Sequence, residues 1–566
     1  MANLSLDRQL SQLEQFRNSF APGDERHLYR LLRQVARARF TTTVSLMRFH
    51  EALLFFRAFP PGPAVLRETE VLLRRFDTRI ERLQNAGGDL DDFDTFEDSG
   101  MVGTTMQDTL SFDVVRWLVR RFPRAVEIAW DDYEDERGMG MVWPLLMPLQ
   151  AEDAYVEANI PWRKWLETAV PRGKTELQWI VEQIEKLPAD DLEKSRTYDL
   201  LRLPVRWNIG NQRYSRTLNW SRPRSLFYHR EPLLQRSAVS LRDQLSQKPP
   251  HLRKVSRAEG RETIDRIHEI MLVRYRELYG TTLADPDSVV RADLDRGLAI
   301  HLWNLPPARR LPLRAYVAGF TLKNGVPINY IEAIGLCEWM EVGFNTFYTF
   351  RGGEVAWVFA QVLRCLCSLM GTTCVSMYPY QLGDQNEEAI ESGAYWFYRK
   401  LGFRPARKNL LQLVEQEERK IAANPKYRTP ARTLRRLASA HLIYELPGSE
   451  VGAWDDFSTR NLGLGASRRM AREFGGNSAS FRASALSALA KALTADPRRW
   501  SPLQRQAFQD FAVALSQDKE LRSWTAQQKR DLVELIRAKS APNEMLYLHL
   551  TQQHTRLRET LLKLGS

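Results

Sequence analysis

The chain has 566 residues, 43% of them hydrophobic, with 81 Lys and Arg against 69 Asp and Glu. Such a length exceeds one hydrophobic core and implies about two to four domains, and 15 Trp with 18 Tyr exclude a disordered chain. The net charge of +12 attracts nucleotides, CoA phosphates, RNA and anionic lipid alike and does not choose among them.

Met1 to Arg8 lacks the basic and apolar regions of a secretory leader, so the chain is expected to be cytoplasmic. Residues 1–85 predict a helical hairpin. Asp24 and Glu25 open an amphipathic stretch through Leu28, Leu31, Leu32, Val35, Leu46, Phe49 and Leu53, which must end before Phe59-Pro60-Pro61-Gly62-Pro63. A second helix covers Val65 to Leu83. Such a hairpin either packs internally or docks a protein partner. In residues 86–108, Gly87, Gly88, Asp89, Asp91, Asp92 and Asp94 invite a calcium reading, yet no register gives EF-hand spacing, and the stretch reads as a solvated acidic linker.

Residues 109–249 are mixed and mostly helical, with helices at Leu110–Phe122, Trp162–Ala169, Lys174–Leu187 and Asp191–Leu201 and a strand at Val126–Trp130. From Leu203 to Trp220, Arg206 and Arg216 interleave with Trp207, Tyr214 and Trp220. Single-stranded nucleic-acid surfaces use that pattern, as does a basic domain with buried Trp and snorkelling Arg.

Residues 250–447 alternate helices and strands. Leu252–Val255 reads as a strand, Arg257–Tyr279 and Asp287–Leu294 as helices, and Leu298–Leu305 as a buried strand. Arg314–Leu322 and Val326–Leu336 flank Lys323-Asn324-Gly325, the strongest short-range hairpin signal. After Phe350-Arg351-Gly352-Gly353 come a helix at Glu354–Met370 and a strand at Cys374–Tyr378. Gln361 and Arg364 interrupt the apolar run, which is too short to span a bilayer, so no membrane partner is expected. A further helix ends at Lys400-Leu401, where Gly402 stops it, and Phe403 begins an extended segment. Leu410–Ala423 is helical and Ala440–Leu446 the last strand. Cys337, Cys365, Cys367 and Cys374 all fall here, without disulfide-framework or metal spacing, so no metal is expected. Residues 448–566 are a C-terminal helical domain, with Ser501-Pro502 as a helix start and helices at 502–517, 525–539 and 542–563.

Within Ser392–Pro405, Ala394-x-x-Phe397-Tyr398-x-Lys400-Leu401-Gly402-Phe403-Arg404-Pro405 resembles the closing motif of the GNAT superfamily of N-acetyltransferases. The element order of residues 250–447 is close to that family's, with one extra helix before the last strand. The resemblance implies an α+β multidomain fold, a GNAT-like mixed β-sheet flanked by mainly α-helical N- and C-terminal regions. It also implies an acyl-CoA donor and an amine acceptor. Arg351 and Ala356 match the first and last positions of the family's phosphate loop, Gly352 and Gly353 fall at its free positions, and Glu354, followed by Val355, replaces a usual Gly. A carboxylate at that place faces the diphosphate unless it turns away.

By the same resemblance, Ala394 and Phe397 lie along the pantetheine arm, and Tyr398 protonates the departing thiolate. The amine's base would be Glu332 on the second hairpin arm, or Glu338 if the strand runs that far. Asp384–Glu388 would form an acidic lip for a cationic amine. Trp339–Phe350 is similar to a segment of the Fem-type aminoacyltransferases, whose donor can be aminoacyl-tRNA. Two alternatives therefore stay open: a Fem-type transferase, and a non-catalytic GNAT-like scaffold whose helical arms bind a protein or nucleic-acid partner.

Overall fold

The computed structural model describes residues 5–17, 20, 23–95, 98–134, 136–147, 149 and 162–566. They form two compact units, one of residues 1–232, 262–282 and 324–327, the other of 233–261, 283–323 and 328–566. Compact units therefore do not divide at 85, 108, 249 or 447, and residues 448–566 share a unit with the large sheet.

In the first unit the expected hairpin is a cluster of shorter helices: Leu6–Phe16, Asp24–Arg37, Thr43–Ala58, Pro63–Arg74 and Asp77–Asn85. The break at 38–42 has a local cause. Thr42 is extended, and its side chain accepts the Ser45 N–H, capping a new helix. Residues 86–108 keep Asp91, Asp92 and Asp94 exposed but are anchored to the fold by their apolar side chains. Phe93, Met101 and Val102 are buried, and Ser99 Oγ donates to Val273 O at 3.1 Å. The acidic residues dominated the reading, but the apolar ones anchor the segment.

Strands β1 (Thr105–Thr109), β2 (Val126–Ile128) and β3 (Pro204–Asn208) form a small antiparallel sheet with β3 central. Phe112, Leu118, Trp143, Ile180, Tyr198 and Trp207 fill its core. In the Arg–aromatic stretch Trp207, Tyr214 and Arg216 are buried, and Arg206 and Trp220 half-buried. Trp207 stacks on Tyr214 at 5.2 Å, Arg216 bonds Glu51 at 2.8 Å, and Trp220 Nε1 donates to Asn324 O at 2.8 Å. The Trp207 and Tyr214 rings thus belong to packing.

The second unit is built on a nine-stranded mixed sheet. Its strands are β4 (Arg253–Lys254), β5 (Val290–Leu294), β6 (Leu298–Asn304), β7 (Ala315–Lys323), β8 (Val326–Leu336), β9 (Trp339–Thr346), β10 (Cys374–Met377), β11 (Arg404–Pro405) and β12 (Leu442–Glu445). The spatial order is β11-β12-β10-β9-β8-β7-β6-β5-β4. The β9–β10 pair is parallel and is joined through the buried helix Val355–Met370, as a parallel crossover requires.

The helix expected at Asp287–Leu294 is instead β5, paired from Val290↔Leu302 to Leu294↔Leu298. Arg296 and Gly297, both at positive φ, close that hairpin. The segment from Trp339 contributes a full strand, β9, whose register with β8 runs from Leu336↔Trp339 to Asn329↔Thr346. Glu338 therefore lies in the turn beside Cys337, not on a strand face.

Among the described residues no helix is long and apolar enough to cross a membrane. The helix expected at 542–563 is divided into Glu544–Gln553 and Thr555–Gly565, where His554 accepts the Leu557 N–H.

Asn324 and Gly325 both have positive φ, 49° and 79°, the signature of a two-residue type I′ turn. A Cβ at Gly325 would stand 1.8 Å from Ser221 O. Gly325→Val should therefore lower stability by at least the ~1–3 kcal/mol of a strained backbone position, read as a lower urea midpoint.

Candidate functional site at a fork in the sheet

The site follows from a mismatch of strand lengths. β10 pairs with β9 only at Cys374↔Trp339, Val375↔Met340 and Ser376↔Glu341. β9 continues to Thr346, whereas β10 ends at Met377 and the chain turns into the short helix Pro379–Leu382. The two parallel strands thus fork, and Val342–Thr346 have no strand partner on the β10 side among the described residues. A cavity of about 500 Å³ opens there, walled by Arg314, Glu332, Glu341, Gly343, Tyr378, Tyr380, His441 and Arg460, among others.

Strand registry gathers these groups. Glu332 lies opposite Gly343 and Ile334 opposite Glu341, so both carboxylates share one face. Ser376 aligns with Glu341 and pairs with Ile443, two residues beyond His441. The other face packs on the helix Val355–Met370 through Phe344 and Phe359, 4.9 Å apart.

His441 Nδ1 is 2.8 Å from Ser376 Oγ and 3.9 Å from Glu341 Oε1. With Nδ1 engaged, Nε2 is the ring nitrogen available to a ligand. Burial lowers the imidazole pKa from its ordinary 6.5, which keeps the ring neutral at pH 7. Arg314 donates to Glu341, and Tyr316 Oη donates to Glu332. Glu332 meets no cation among the described residues.

Of the two candidate bases, only Glu332 is in the cavity. Glu338 lies in the turn past Leu336, the last residue of β8, and binds Trp454 Nε1 at 2.8 Å and Arg558 Nε at 2.6 Å. Its role there is to tie the β8–β9 turn to the C-terminal segment. Glu341, Tyr378 and His441 were missed. The period-two pattern of Trp339–Thr346, read as a strand, would have exposed Glu341; nothing local marks His441.

Arg351, Gly352 and Gly353 lie together at the N-terminus of the helix Val355–Met370, followed by Val355 and Ala356. That end has no side-chain cap. Glu354 turns inward. Its side chain is 0% exposed and accepts from Lys323 Nζ at 3.0 Å, Arg296 Nε at 3.1 Å and the Leu234 N–H at 3.2 Å. Arg351 pairs with Glu388 and lies over the Tyr348 ring at 5.5 Å. Glu387 pairs with Arg435 at 2.7 Å. The expected acidic lip thus has both its glutamates occupied by arginines.

Ala394, Phe397 and Tyr398 share the helix Ala394–Arg399, and Gly402 beyond it has φ 104°. Phe397 and Tyr398 meet Phe359 at 6.1 and 5.5 Å, and Tyr398 also meets Phe403 at 5.9 Å. Tyr398 is buried, and burial raises its phenol pKa. Burial likewise pushes the thiols of Cys337, Cys365 and Cys367 up to about 12, which leaves no thiolate among them at neutral pH. Among the described residues no group of three or more His, Cys, Asp or Glu is placed to hold a metal ion. No family model, curated protein or solved structure matches this chain.

Removing the Glu354 charge takes the carboxylate partner from the buried Lys323 ammonium and from the partly exposed Arg296 guanidinium. Glu354→Gln should cost about 3–5 kcal/mol, seen as a lower urea midpoint with an unchanged m-value. His441 gives a pH signature. As pH falls through 6.5 the unfolded chain takes up the proton first, so the buried neutral ring makes stability fall until the folded protein also protonates. A His441→Gln variant should lose less stability than wild type between pH 7 and the lower end of that window, measured by urea titration at each pH.

Proposed function

We propose that the chain is an N-acyltransferase of GNAT-like build, moving an acyl group from acyl-CoA to an amine. The observation that carries this reading is the fork, where a parallel strand pair separates beside Glu332, Glu341 and a neutral His441. The crossover helix that joins the pair is preceded by Arg351-Gly352-Gly353-Glu354, and the motif containing Tyr398 packs against it.

In this reading the uncapped helix N-terminus offers free N–H groups and the positive end of its dipole to the CoA diphosphate. Glu354 does not repel that anion, because Lys323 and Arg296 surround it and leave the cluster with a net positive charge while both are protonated. The cationic amine enters between Glu332 and Glu341. It gives a proton to His441 Nε2, and its nitrogen attacks the thioester carbonyl. As the C–S bond breaks, the thiolate takes a proton from the Tyr398 phenol, and the second proton of the adduct's nitrogen restores that phenol.

Thermal unfolding with and without acetyl-CoA, CoA and a control nucleotide tests the donor. A ligand at 100 times its Kd adds about 2.7 kcal/mol. Gly352→Asp adds a carboxylate where a Cβ meets nothing within 4 Å, so it should abolish that shift without unfolding the protein. With an accepted amine, His441→Gln should lower kcat/KM by about 10²–10⁴-fold, followed as release of free thiol. A folded protein with no response to any CoA species would overturn the proposal.

A further inference from the structure

A second cavity, of about 550 Å³, shares Arg314 and Thr459 with the fork cavity. Its character differs. Leu311, Pro312 and Leu313 form one wall, from the segment before β7. Leu462 and Ala466 of the helix Thr459–Phe474 and Val513 of the helix Pro502–Leu515 form others. The fork cavity holds carboxylates together with Arg314 and Arg460. Among the described residues Glu332 is bonded by the Tyr316 hydroxyl and meets no cation. The second cavity is mainly apolar, with Arg482 and Asp510 among its polar members. Two neighbouring cavities that share wall residues, one holding Glu332 and Glu341 and the other mainly apolar, fit a small molecule with a polar end and an apolar end.

We infer that the acceptor is an amphipathic primary amine, its ammonium group held at Glu332 in the fork and its hydrocarbon chain lying past Arg314 and Thr459 in the apolar cavity. The inference rests on the acyltransferase reading for the role of the amine, and on the two neighbouring cavities for its shape. Each methylene that enters the apolar cavity contributes about 0.8 kcal/mol of burial. With about 1.4 kcal/mol per tenfold, that is roughly fourfold in affinity per methylene.

Gly463 gives a clean way to fill the space. It lines the apolar cavity, and a Cβ built there meets nothing within 4 Å. Gly463→Leu therefore projects a side chain without moving backbone and removes a helix-interior glycine.

The experiment is calorimetric titration of the full chain with butylamine, hexylamine and octylamine, and with octanoate as the anionic counterpart. Wild type should bind octylamine roughly 100-fold more tightly than butylamine if most of the added methylenes are buried. Gly463→Leu should flatten that dependence while leaving butylamine binding intact. Glu332→Gln should weaken all three amines by a similar factor. Affinity that does not grow with chain length, or growth that Gly463→Leu leaves untouched, overturns the inference. Octanoate binding as tight as octylamine, and indifferent to Glu332→Gln, overturns the amine head group. The CoA measurement separates the two readings. Length-dependent amine binding without any CoA response would sink acyl transfer and keep this site, whereas a CoA response with length-independent amine binding would sink this site alone.

Discussion

A carboxylate with no exposed surface cannot stand alone, and Glu354 is such a group at the most consequential position in the second unit. An ion taken out of water costs several kcal/mol unless cations and N–H groups replace its hydration. Here Lys323 comes from the end of β7, Arg296 from the tight turn between β5 and β6, and the Leu234 N–H from an otherwise irregular segment. Four separate stretches of chain must converge for the charge to be tolerated. The convergence fixes where the helix Val355–Met370 begins, and with it the crossover from β9 to β10. Burial lowers the Lys323 pKa to about 8, so its charge, too, depends on keeping Glu354 beside it.

From that fixed point the fork is a matter of length. β9 has β8 along its whole course on one side, so it stays extended to Thr346. β10 has only a few paired residues before Pro379 at a helix start draws the chain away. β12 enters on the far edge of β10, and His441 precedes its first paired residue, which sets the imidazole at the mouth of the gap. No loop is needed to place these groups. Glu332, Glu341, Ser376 and His441 are carried on or immediately beside strands, and strand registry holds them to one face.

Much of the large sheet and of the helices packed on it was legible in the sequence, for reasons that can be named. Asn324-Gly325 can hardly be anything but a tight turn between two β-rich runs, and Gly402 after Lys400-Leu401 stops a helix as its positive φ requires. The run from Val355 to Met370 is apolar on nearly all sides because it is buried on nearly all sides. What escaped were elements whose identity depends on distant partners. Val290–Leu294 is short enough to read either way, and it is a strand because β6 pairs with it. Glu338 shares spacing with Glu332 but sits in a turn, because Cys337 takes a positive φ and the strand ends. The direction Glu354 would face depended on Lys323 and Arg296, far from it in sequence.

The C-terminal helices show why a third of a site can be invisible to motif reading. A sheet face with two carboxylates and a histidine is open to water until something roofs it. Phe457 to Arg460 and the helix that begins at Thr459 supply one wall of the fork cavity. Their placement is secured at a distance from the chemistry. Trp339 and Trp454 stack at 5.3 Å with an interplanar angle of 7°, and Arg558 and Trp454 both reach Glu338. Glu338 therefore matters to the site without touching it. Held by an indole and a guanidinium, it locks the β8–β9 turn to the segment that closes the cavity, so the turn that ended one candidate base's case anchors the wall opposite the other.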